Sequence, residues 1–187
     1  MQTINNEACD HICNSSFVNK NGQLFVPDQS RPEVFWAWAS QHWIRNTRQN
    51  IDPQPLINQA FYDLGLIGDN KEDISVAFIF CLDLTISYSN KTLSVGCHGC
   101  GTHGLLEQIT LACLAFQQAD EAFMAQKIIH NIMSEVPAEA VIALLDKLSS
   151  AFLSKDMWLP IRCHYLDLAA RIPDLNQEAI STTRIVN

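Results

Sequence analysis

Four apolar stripes follow one another between Leu105 and Ile172, each with apolar residues about every three to four positions. Leu105, Ile109, Ala112, Cys113 and Phe116 form the first. Met124, Ile128 and Ile132 form the second, entered through Asp120 as an N-cap. Val141, Leu144, Leu145, Leu148 and Phe152 form the third, with Pro137 at its start. Trp158, Ile161, Tyr165, Leu168 and Ile172 form the fourth, which Pro173 ends. Such spacing places apolar side chains on one side of a helix and is incompatible with the alternation of a strand. The connections are short, so neighbouring helices should pack antiparallel, as in a bundle.

The upstream half carries the same signal less regularly. "RPEVFWAWASQHWIRNTR" has Pro32 near its start and Arg45 and Arg48 near its end, as a helix prefers. Phe35, Trp36, Trp38 and Trp43 cover more than one face of it, which suits core anchoring better than a ligand pocket. "PQPLINQAFYDLG" reads as a helix with Gly65 as its C-cap. Asp69 and Glu72 have capping-box spacing ahead of a run of Ile74, Ala77, Phe78, Cys81 and Leu82. Residues 74–88 are rich in β-branched and aromatic side chains, so helix and strand both remain open, with helix favoured through Asp83. An extended piece with a hairpin at Ser89-Asn90 is expected next. Around Asn21-Gly22, "SFVNKNGQLFV" predicts a small hairpin, because both turn residues tolerate positive φ. The expected fold is therefore mainly α: a single-domain helical bundle over 1–174 with a small N-terminal β-hairpin element, α+β being the alternative. Residues 175–187 form a polar tail.

Composition limits the function classes. Of 187 residues 48% are hydrophobic and 17% charged, enough apolar material for a full core. Twelve Lys+Arg stand against twenty Asp+Glu, a formal charge of −8. Arg45 and Arg48 are the nearest thing to a basic run, so neither nucleic acid nor an anionic membrane surface is an expected partner. The first residues hold no basic segment leading into an apolar one, and no apolar run approaches the ~20 residues of a membrane span. A cytoplasmic location is expected. Seven cysteines cannot all pair within one chain. Cys81, Cys113 and Cys163 lie on or beside apolar stripes and should be core residues.

The densest chemistry is "GCHGCGTHG", residues 96–104, with two cysteines, two histidines and four glycines. Cys97 and Cys100 form C-x-x-C, a spacing that lets two thiolates straddle a tight turn around zinc. His103 is a third candidate ligand, and His98, Cys9 or Cys13 from "CDHIC" a fourth. The same pair ahead of a helix is also a candidate redox site, since helix amides and dipole favour thiolate, with His103 as base. Bare glycine amides before a helix can instead cradle an anion. "GCGTHG" matches the dinucleotide fingerprint literally but lacks its βαβ surroundings, and no Walker lysine follows. The plainest alternative is a glycine-rich connection. His42, His130 and His164, on expected helices, read as ordinary.

Together these features point to a cytosolic helical binding or adaptor protein that engages a protein partner, with a candidate structural zinc site. The alternative is a thiol- or metal-dependent enzyme centred on 97–103. Leu106, Leu111 and Leu114 make the 105–116 helix apolar on more than one face. It should therefore be either central in the core or turned toward a partner. Oligomeric state is not encoded legibly.

Overall fold

The computed structural model describes residues 17–18, 24–25, 29–67, 74–97 and 102–170. The fold is mainly α, as the stripes imply. Three strands of two residues each, β1 (Phe17–Val18), β2 (Leu24–Phe25) and β3 (Thr102–His103), form an antiparallel sheet in that order. Phe17 pairs with Phe25 and Val18 with Leu24; the connection between them, with the expected Asn21-Gly22 turn, lies outside the described residues. β3 joins as an unexpected third strand, with Leu24 opposite His103.

The helices are α1 (Arg31–Arg48), α2 (Gln54–Asp63), α3 (Ile74–Tyr88), α4 (Leu105–Gln118), α5 (Ala122–Ile132), α6 (Glu135–Leu153) and α7 (residues 163–170). α4 is the central element. It packs against α5, α6 and α1, while α3 lies along α6 and α2 closes over α3. Leu106, Leu111 and Leu114 are fully buried, as are Ile109, Ala112, Cys113 and Phe116 of the main stripe, with Leu105 half-buried, so α4 offers no broad face to a partner. The Trp36 indole N–H donates to the Thr110 hydroxyl at 2.7 Å and ties α1 to this central helix. Trp36 is completely enclosed, with Phe78 edge-on at 5.0 Å and Phe152 at 6.1 Å. The aromatic residues of α1 therefore anchor the core.

Helix ends follow local chemistry. After α2, Leu66 N–H donates to the Phe61 carbonyl and Gly65 N–H to that of Tyr62, with Gly65 at φ +66°. This is a Schellman closure on a left-handed glycine. α4 ends the same way on Asp120 (φ +61°), with Glu121 N–H on the Phe116 carbonyl. Asp120 thus terminates α4 instead of capping α5, whose N-cap is Glu121.

Two further expectations change. α3 runs on to Tyr88, and no hairpin forms at Ser89-Asn90. The Thr85 hydroxyl bonds back to the Cys81 carbonyl within the helix, and the Asn90 amide is taken by the Ile132 carbonyl at the end of α5. The last helix begins at residue 163, not near Trp158. Pro160 has no N–H and disfavours helical geometry before it. The Gln118 side chain pins this irregular stretch, donating to the Met157 carbonyl (3.1 Å) and accepting from Leu159 N–H (2.7 Å). Trp158 is left exposed. No helix among the described residues is long and apolar enough to cross a membrane.

Candidate functional site

The 94–107 segment is held by one carboxylate. Glu107, in the first turn of α4, is fully buried. One of its oxygens accepts the Gly96 N–H at 2.9 Å and the other the Gly104 N–H at 3.0 Å. Both glycines are needed there. A Cβ on Gly96 would collide with the Thr102 carbonyl oxygen, and one on Gly104 with that of Ser94. The Gly96 and Gly104 amides converge on a carboxyl group of the chain's own, that of Glu107. Burial raises its pKa, against lowering by the Gly96 amide, other backbone N–H groups and the Gln41 side chain; the net shift is upward. Gln41 also donates to the Thr102 carbonyl at 3.3 Å, so α1 braces the same turn.

Within this frame the Cys97 N–H donates to the Thr102 hydroxyl at 2.9 Å. Cys97 is disulfide-bonded. In that state its sulfur is not a thiolate and does not ligate metal. Of the other candidate ligands, Cys9, Cys13, His98 and Cys100 lie outside the described residues. No group of three or more His, Cys, Asp or Glu side chains able to hold a metal occurs among the described residues. Cys81, Cys113 and Cys163 are buried thiols, as their stripes imply. Burial pushes the Cys81 thiol up to about 12 and Cys113 well above its ordinary value, so both are inert.

His103 is completely buried, and neither ring nitrogen has a hydrogen-bond partner among the described residues. It belongs to a polar cluster joining the start of α1, β3 and α7. At its centre Glu33, fully buried, receives a two-pronged ion pair from Arg162, with Nε and Nη2 each 2.6 Å from a carboxylate oxygen. The Tyr165 hydroxyl donates to Glu33 at 3.2 Å and the Ser30 N–H at 2.7 Å. Burial alone would raise the Glu33 pKa. The Arg162 and Ser30 hydrogen bonds and the Arg162 charge outweigh it, and the carboxyl is lowered. Burial lowers His103 to about 4, moderated by Glu33 and reinforced by Arg162. His164, stacked edge-on to Tyr165 at 4.4 Å, also falls to about 4, through burial and then through His103 and Arg162. Its Nε2 is buried without a hydrogen-bond partner among the described residues. Both imidazoles are neutral at pH 7.

Of the sequence candidates, the structure places Cys97 and His103 on one braced turn. The residues that sequence reasoning missed are Glu33, Glu107, Arg162, His164 and Tyr165. Glu33 had a signal, since Ser30 and Glu33 have capping-box spacing. Its partner 129 residues away had none.

A second feature is a cleft of about 460 Å³ between the end of α1 and residues 93–96. Compared with protein-family models, curated proteins and solved structures, the chain matches none.

Proposed function

We propose that this chain is a cytoplasmic helical binding module that receives an apolar segment of a protein partner on α3. The observation that carries this reading is the mismatch between the composition of α3 and its burial. "ISVAFIFCLDLTISY" contains a single charged residue, Asp83, and is apolar on every side, yet only one side meets the core. Phe80 (56% exposed), Ile86 (44%) and Tyr88 (56%) face solvent, with Val76, Ile79 and Leu84 half-buried beside them. A helix apolar all round that is only half covered fits a surface that is covered in use. Of the two places left open for the 105–116 helix it takes the core, and α3 is the helix left with an uncovered apolar face. A photo-crosslinking residue at position 80 should give a discrete adduct in cells, and adding Ile86→Asp/Tyr88→Asp should abolish its recovery without lowering the melting temperature, both residues being exposed. The same residue at Phe123, also exposed, serves as control. Equal labelling from both positions would overturn the reading.

A second reading, thiol or metal chemistry at 97–103, is favoured by His103. A buried neutral imidazole with two unpartnered nitrogens is a candidate base or ligand beside the Cys97 turn. In this reading a dithiol reductant frees Cys97, and zinc is held by ligands drawn from Cys97, Cys100, His103, His98, Cys9 and Cys13. Zinc uptake by the reduced protein, lost in Cys97→Ser and His103→Leu, is the expected result. Unchanged uptake in both variants would exclude it.

A further inference from the structure

We propose that the cleft between the C-terminal turns of α1 and residues 93–96 binds a small organic anion: a carboxylate or phosphate carried on an apolar body. One wall is a single helix face. Gln41, Ile44, Arg45 and Arg48 recur at helical spacing along it, so both guanidinium groups rise from the same side. The facing wall is the irregular stretch whose Leu93 and Val95 are half-buried. The site therefore has an apolar floor, Ile44 with Leu93 and Val95, beneath a cationic rim.

The charge pattern identifies the ligand class. No carboxylate lines the cleft among the described residues. Neither Arg45 nor Arg48 has an ion-pair partner among the described residues, although the chain has twenty Asp+Glu and a formal charge of −8. The helix dipole explains why cations sit in the last turn of α1. It does not explain why both share the face that forms a cleft wall. Arginine suits the role because its planar donor fork matches a carboxylate or phosphate in two-point contact. The volume, about 460 Å³, lies in the range typical of small-ligand pockets, ~300–1,000 Å³. The far wall is also rigid: Gly96 is fixed by Glu107, and Leu105 and Leu106 N–H groups bond to the Ser94 side chain and carbonyl. A preformed wall lowers the ordering cost of binding.

The test uses the full chain with four probes followed by calorimetry and by amide chemical shifts: octanoate, octyl phosphate, octanol and inorganic phosphate. The two amphiphilic anions should saturate, moving the amides of residues 93–96, and the tighter of the two identifies the head group. Octanol and inorganic phosphate should each bind roughly tenfold more weakly or worse, since each lacks half of the recognition. Arg45→Gln/Arg48→Gln should weaken the preferred anion by about tenfold or more while the melting temperature holds, both residues being exposed. Raising salt should weaken the wild type and leave the variant almost unaffected. Equal binding of octanoate, octyl phosphate and octanol, undiminished binding by the double variant, or shifts confined to α3 would overturn the proposal.

Discussion

Glu33 and Glu107 occupy equivalent places on their helices. Each is in the first turn, each is fully buried, and each accepts the N–H of its own N-cap residue. Their surroundings part from there. Glu33 meets a guanidinium and a phenol, and its carboxyl is held below the usual value. Glu107 meets neutral donors, two glycine amides and Gln41, and burial wins. Neutral hydrogen bonds satisfy a buried carboxylate geometrically without restoring what it lost in leaving water. A cation restores it.

Breaking the Glu33 pair should have the largest effect. Arg162→Met leaves an uncompensated buried charge and should cost about 3–5 kcal/mol in urea unfolding. Glu33→Gln/Arg162→Met should be less destabilised than Arg162→Met alone. A double variant no better than the single one would show that Arg162 acts through packing.

The imidazoles near the pair come next. His103 is lowered from 6.5 to about 4, so in that interval the unfolded chain binds more protons than the folded one. Stability should fall as pH falls through this window, by about 3 kcal/mol from His103 alone. His103→Leu should flatten that slope.

Glu107→Gln should cost less, about 1–2 kcal/mol, because glutamine offers one oxygen to two amides. The pH slopes sharpen the contrast. With Glu33 lowered from 4.5, its contribution is present above that value and lost as pH falls through the folded one. With Glu107 raised, the folded protein holds its proton longer, and stability declines as pH climbs from 4.5 through the raised value. Opposite changes in slope in Glu33→Gln and Glu107→Gln would bear this out; parallel changes would refute it. The smallest effect belongs to Gly65→Ala, about 1 kcal/mol for an alanine at φ +66°.

The parts of the molecule written in local pattern were legible. The stripes of α4, α5 and α6, the C-cap at Gly65 and the burial of Cys81, Cys113 and Cys163 all follow from spacing. Where the reading failed, a distant partner decided. Ser89-Asn90 is turn chemistry, but the Asn90 amide pairs with Ile132 and not across a hairpin. Periodicity marked α4 as apolar on several sides and could not say whether core or partner would cover Leu106, Leu111 and Leu114. The glycine run of 96–104 signalled an anion cradle; that Glu107 fills it depends on how the chain folds back on the start of α4. The Glu33 cluster draws on α1, β3 and α7, and no short window of sequence contains it.

Sharing one carboxylate also couples the amides at the two ends of the cysteine turn, Gly96 and Gly104. Gly96 and Gly104 can exchange their protons with solvent only when Glu107 lets go. The closed carboxyl holds its proton longer than a released one, so deprotonation favours release of both at once. Their exchange should therefore rise together as pH climbs, relative to neighbouring amides, so that the ends of the cysteine turn open as one unit.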